Sequence, residues 1–377
     1  MVPHPADRGR RSAKATADQC CWPSVSSSNG SRTTTYRFSS GAVVTSVQPP
    51  PDFSPLTASA AQLATYGFPA RPTMVAELAQ WSDGMAAWKS TPKPDLTIQA
   101  VGTNSSSVNA ALSSGEGFSF GANDSYTGWD ANSTQGIYSG SESYFNVPNL
   151  GVGCFGAGNL GIWTGLGGIN SRGYSSDPTD HYILGRATVP HRYLLRSADS
   201  KWAQANIPFN STQLIQSGIE GGINLGSPTV WQPFWEILNS SNPTIPPFIL
   251  KTSNTAISIS PGDKMFSSTW YYAPSGTINF YILDLTTGQS GQFSFTNTYW
   301  GSTSSFYDGS TAEVIAESAG GYDLNFQDFS TSGNDAQAPL GTWSPMTDFG
   351  NERFYVPGYT SVSGNGNAFN VNFVGCP

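Results

Sequence analysis

At 377 residues the chain can hold one large domain with an appendage, or two ordinary domains. Only 11% of its residues are charged, well under the usual quarter or so, while 41 glycines, 26 prolines and 13% aromatics give the profile of a loop-rich, all-β extracellular protein. A formal net charge of −8 and an isoelectric point near 4.8 argue against nucleic acid as a partner, and no segment is apolar for long enough to span a membrane.

Residues 1–45 are rich in Ser, Thr, Gly and Arg, contain no hydrophobic run and are expected to be disordered. Arg10-Arg11 is not followed by an apolar stretch, so no secretion signal is visible. An extracellular composition without a signal leaves two accounts, export by another route or a misplaced N-terminus, and the second is preferred. Residues 46–112 read as a partly helical leader. Thr57 can cap a short helix over Ala58–Thr65, and Thr73 a second one whose Met74, Leu78, Trp81, Met85 and Trp88 form a single stripe. This segment is either a small helical subdomain or a prosegment that packs on an enzyme and covers its cleft.

Residues 113–377 read as β throughout. Thr277–Leu285 and Gly291–Phe295 flank a turn and form a hairpin, Ile257–Ser260 runs as a strand into Pro261-Gly262-Asp263, and Phe369, Val371 and Phe373 alternate with Asn370 and Asn372. Many short strands between turns argue for a two-sheet sandwich. In Thr311–Ser318, strand alternation places Glu313, Ile315 and Glu317 on one face, which is either a solvated surface or a site. Cys20, Cys21, Cys154 and Cys376 fit no zinc spacing; Cys154 and Cys376 either pair or stay apart. His181 and His191 come without a nucleophile motif, so they read as loop histidines. Carboxylate chemistry without metal or cofactor remains.

Five motifs in order, Leu214-Ile215-Gln216-Ser217-Gly218, Phe234-Trp235-Glu236-Ile237, Ile257–Asp263, Leu285–Gln289 and Ala312-Glu313-Val314-Ile315-Ala316-Glu317, resemble the landmarks of the glutamic peptidases (eqolisins). Ile162-Trp163-Thr164-Gly165 and Asp348-Phe349-Gly350 are similar to two more, and Tyr66–Pro72 looks like the leader of bacterial members. The resemblance spans about residues 125 to 355. It implies a sandwich of two bent antiparallel sheets, of the concanavalin A or lectin-like jelly-roll type, and a secreted acid endopeptidase acting on polypeptides, monomeric, with no nucleic-acid or membrane partner. By motif position the catalytic Gln falls on Gln216 and the catalytic Glu on Glu317. Trp163, Trp235, Glu236 and Glu313 are thereby expected to line the substrate site. Three features depart from the family pattern: Gly167 stands where fungal members carry Asp, Val314 where a Trp is usual, and residues 169–211 form a long insertion. The alternative is a glycoside hydrolase or carbohydrate-binding sandwich using Glu236, Glu317 and cleft aromatics.

Overall fold

The structure, a computed structural model, describes residues 24–37, 43–66, 68, 71–72, 75–88, 96–100, 125–132, 138–152, 158–167, 213–224, 227–228, 231–239, 248–252, 257–272, 277–296, 311–319, 324–327, 329–337, 343–348, 350–354 and 360–375. The four cysteines, His181, His191, Met74 and Phe349 lie outside them.

Among the described residues the chain is mostly antiparallel β. From the N-terminus come β1 (Ser24–Ser28), β2 (Ser31–Arg37), β3 (Val43–Gln48), helices α1 (Ala60–Thr65) and α2 (Val75–Ala87), and β4 (Leu96–Ala100). The middle of the chain supplies β5 (Ser125–Asn132), β6 (Gly140–Asn146), β7 (Asn149–Val152), β8 (Gly158–Gly167), β9 (Gln213–Asn224), β10 (Ser227–Pro228), β11 (Gln232–Asn239) and β12 (Phe248–Thr252). Then follow β13 (Lys264–Tyr272), β14 (Thr277–Asp284), β15 (Ser290–Thr296), β16 (Thr311–Ala319), β17 (Leu324–Gln327) and β18 (Phe329–Gln337). Last are β19 (Trp343–Pro345), β20 (Gly350–Phe354), β21 (Thr360–Gly364) and β22 (Phe369–Phe373).

Two large sheets result. The first runs β1-β2-β3-β15-β14-β13-β6-β18-β22-β21, with β19 on β18; the second runs β20-β5-β16-β8-β9-β11-β12-β4, with β10 on β9. They pack face to face over one core. Leu160, Ile162, Leu166, Ile215, Ile219, Val314 and Trp235 from the second sheet meet Phe145, Met265, Ile278, Phe280 and Ile282 from the first. The expected β-sandwich is therefore present, lectin-like in its two-layer antiparallel build. At its centre the contact is polar: the Ser217 and Thr269 hydroxyls are 2.6 Å apart, those of Thr164 and Ser267 are 3.0 Å apart, and Ser267 donates to the Ser217 carbonyl at 3.0 Å.

Local sequence explains the turns. Asp284 accepts from the backbone N–H of Thr286 and Thr287 and from the Thr287 hydroxyl, and Gly288 takes a positive φ of 74°, which closes the β14–β15 hairpin. The final strand is as alternation requires, with Phe369 and Val371 buried. Residues 257–260 differ from expectation. They form one bridge, Ile259 to Trp231, and the strand starts after the turn at Lys264.

The N-terminal third also departs from expectation. Residues 24–37 and 43–45, expected to be disordered, belong to three strands, because Thr-rich alternation suits a pleated edge and β3 finds β15 to pair with. The cap of α1 is Ser59, not Thr57: Ser59 Oγ accepts from Gln62 N–H at 3.2 Å while Gln62 Oε1 accepts from Ser59 N–H at 2.9 Å. The stripe of α2 is buried as its spacing predicts. Trp81, Met85 and Trp88 join Leu63 and Phe68 against Tyr144, Phe266, Tyr281 and Leu283.

Those four partners lie on the outer face of the first sheet, since their strand neighbours Phe145, Met265, Phe280 and Ile282 face the core. Helices α1 and α2 therefore cover the first sheet, two layers away from the outer face of the second. Among the described residues, no helix is long and apolar enough to cross a membrane.

A removable plug and an integral layer predict different outcomes. Deleting residues 24–88 strips cover from Phe266, Tyr281 and Leu283, so the truncated chain is expected to be insoluble or to bind a hydrophobic dye, read by gel filtration and dye fluorescence. Trp81→Ala in the full chain is expected to cost about 3–5 kcal/mol in denaturant unfolding. A soluble, folded truncation would show that the helices are dispensable.

Candidate active site

The outer face of the second sheet is where the sequence-derived candidates meet. Register aligns Ile315, Trp163 and Gly218 across β16, β8 and β9. Two residues to one side lie Glu313, Gly165 and Gln216, and two to the other lie Glu317, Gly161 and Glu220. Paired residues share a face and faces alternate with period two. Trp163 is thus centred among Glu313, Glu317, Gln216 and Glu220, with glycine on its own strand at both neighbouring same-face positions. Register adds Asp130 and Tyr126 of β5 opposite Glu313 and Glu317, and Glu236 and Gln232 of β11 opposite Gln216 and Glu220.

Trp163, Gln216, Glu313, Glu317, Glu220 and Asp130 are each at most 1% exposed, so their charges and dipoles act with little screening by water. The Trp163 indole N–H donates to Glu317 Oε2 at 2.9 Å, which fixes the orientation of both groups. Glu220 Oε1 accepts from Gln232 Nε2 at 2.6 Å. Tyr138, which follows β5, has its phenol pushed well up, first by burial and then by the charge of Asp130.

The glycines are what let the indole lie along its strand. A Cβ at Gly165 would come within 2.5 Å of Trp163 Cζ3 and 2.9 Å of Glu313 Oε2. Both groups therefore occupy the space above Gly165, and Glu313 leans over β8 on the side of Gln216.

Magnitudes decide which pairs can act on one bond. Gln216 and Glu317 sit on a diagonal of two strand spacings and four residues, about 16 Å between Cα atoms on a flat sheet. Extended side chains reach about 4.5 Å each by standard bond lengths. Pointed directly at one another, the two side chains would leave a gap of about 7 Å between amide and carboxylate, which a carbonyl group and one attacking water span with a hydrogen bond of about 3 Å at either end. Glu236 and Glu317 are three spacings and four residues apart, about 20 Å on the same lattice.

Trp235, expected at the cleft, turns the other way. Its strand position pairs with Ser217, and its ring stacks on Phe280 with centroids 4.9 Å apart inside the core. Alternation explains it: Glu236 and Trp235 cannot share a face. Sequence reading missed Asp130 and Glu220. The signal for Glu220 was its spacing of four from Gln216 along one strand; Asp130 needed the pairing of β5 with β16.

No protein-family model matches the chain. No curated protein matches it either. Among solved structures it is similar to SCP-B, a member of the eqolisin family of peptidases in complex with the tripeptide Ala-Ile-His, at 14% identity over 67% of this chain and 98% of that one, with a TM-score of 0.38. It is also similar to peanut lectin with a nine-residue peptide, at 11% identity over 62% and 88% of the two chains and a TM-score of 0.23. Basic winged bean lectin with Tn-antigen gives 10% identity over 56% and 77%, with a TM-score of 0.16. At TM-scores this low the likenesses decide nothing about the site, whose account rests on its own residues.

Gly165→Ala tests the packing. It is expected to displace the indole and the Glu313 carboxyl, costing about 1–3 kcal/mol of stability and changing the fluorescence of Trp163. An unperturbed spectrum at wild-type stability would show that the space above Gly165 is not filled.

Proposed function

We propose that the chain is an acid endopeptidase in which Glu317 and Gln216 form the catalytic dyad. The observation that carries the reading is the diagonal placement of these two side chains about Trp163 on one sheet face, with an indole bond orienting Glu317. The motif resemblance chose the same two positions from the sequence.

The chemistry follows from the groups. A glutamate ordinarily ionises near pH 4.3, so in mildly acidic solution it can hold a water and take its proton. The water oxygen then adds to the peptide carbonyl, and negative charge develops on the carbonyl oxygen. Gln216 offers an amide N–H that does not titrate, so it can donate to that oxygen at any pH. Glu317, now protonated, gives its proton to the leaving nitrogen as the C–N bond breaks. Trp163 forms the apolar floor beneath the substrate backbone and excludes water beside the reacting carbonyl.

Cleavage of unfolded casein from about pH 2 to 7, with pepstatin and a chelator present, tests this. The wild type is expected to cut in acid. Glu317→Gln is expected to abolish cutting, and Gln216→Ala to slow it by about a hundred- to a thousand-fold, as for loss of an oxyanion donor. Sensitivity to either inhibitor, or full activity in either variant, would overturn the dyad.

A further inference from the structure

A second line of paired side chains crosses the outer face of the first sheet, along the border of the helical layer. Register joins Thr45 of β3, Ser294 of β15, Asn279 of β14, Trp270 of β13, Gly140 of β6 and Gln337 of β18 in one row. Two residues further along β14, Tyr281 lies beneath α1 and α2, so the helices wall the row on that side. Five strand spacings make the row about 24 Å long. None of its six members is charged.

The polar members are fixed by their neighbours. Ser294 Oγ donates to Asn279 Oδ1 at 2.6 Å, and Ser139 Oγ donates to Gln337 Oε1 at 3.1 Å. With both amide oxygens held, each side chain keeps its N–H₂ to donate elsewhere. Between the two amides stands Trp270, packed against the helical cluster yet partly exposed. A Cβ at Gly140 would come within 2.6 Å of Trp343 Cη2, so a second indole fills the space above that glycine as an apolar floor. The Trp343 N–H is buried with no acceptor among the described residues.

We propose that this row is a binding groove for a neutral, extended glycan, on the sheet opposite the dyad and independent of the peptidase reading. Its chemistry selects the ligand. Oriented amide donors and hydroxyls suit the hydroxyls of a sugar, and an indole offers a flat apolar surface to the C–H side of the ring. An acidic polysaccharide or a phosphate needs a cation, and the row has none. Rungs about 4.8 Å apart repeat at close to the length of one hexose in an extended chain. A β-linked glucan, with hydroxyls at its rim and C–H groups on its flat faces, meets each of these demands. A polypeptide is disfavoured, because it would pair through its backbone at a strand edge, and this row offers side chains in mid-sheet. Because the two sites lie on opposite outer faces, a bound glycan leaves the dyad open.

The test runs the full chain in native gels with and without hydroxyethylcellulose, and titrates it with cellohexaose by calorimetry. Retarded migration and saturable binding are expected, while an anionic galacturonate hexamer is expected not to bind. Trp270→Ala is expected to weaken cellohexaose binding by about tenfold or more, as removal of an aromatic anchor does. Gln337→Glu keeps an oxygen for Ser139 but replaces the donor with an anion. It is expected to weaken binding by about tenfold with an unchanged unfolding curve, and it decides the matter if Trp270→Ala fails to fold. Absence of both retardation and binding heat in the wild type would overturn the groove, as would wild-type affinity in Gln337→Glu. Binding lost in Glu317→Gln instead would move the glycan to the dyad face. Displacement of cellohexaose by casein peptides would give the row to polypeptide and overturn the glycan assignment.

Discussion

Everything on the outer face of the second sheet depends on a short polar contact behind it. Thr164 and Ser217 face the core and bond to Ser267 and Thr269 of the other sheet. Their immediate neighbours, Trp163 and Gln216, face outward. Because strand side chains alternate, clamping one residue's backbone also sets the direction of the next. Hydroxyl contacts of this kind are short and directional, unlike the sliding contact of Leu on Ile. A slip of one residue between β8 and β9 would break them and turn Gln216 into the core. The core thus works as a template for the site.

This coupling explains why the candidate residues were legible before the fold was. Glu313 and Glu317 sit at even spacing on a strand rich in β-branched residues, and Gln216 lies in a similar run. Both patterns fix a face. What no single strand can reveal is which strands are neighbours. Asp130 carries no local mark, and its relation to Glu313 arises only from the pairing of β5 with β16, nearly two hundred residues apart in sequence. The misplacement of Trp235 had the opposite origin: motif membership put it beside Glu236, although period two forbids adjacent residues a common face.

The N-terminal helices show a second limit. Three- and four-residue spacing in α2 specifies a helix with one apolar stripe, and the stripe is buried. Spacing does not say what the stripe meets. Here it meets Tyr144, Phe266, Tyr281 and Leu283, strand residues whose alternate positions are also apolar, so the first sheet is buried on both faces. A strand such as β14, apolar on both sides, can belong to a parallel sheet or to an antiparallel one with a cover. The aromatic composition of α2 was the available hint, since Trp81 and Trp88 need a large apolar partner.

The N-terminal region also closes sheet borders. β3 lies along β15 in the first sheet, and β4 lies along β12 in the second. Exposed strand edges invite pairing with other chains, and these two are occupied from within. The backbone ladders hold whether or not the polypeptide is continuous beyond β4. A cut between β4 and β5 would accordingly yield two fragments that separate under denaturing electrophoresis yet migrate as one particle in native buffer. The molecule would become a nicked heterodimer, its smaller chain laced into both layers.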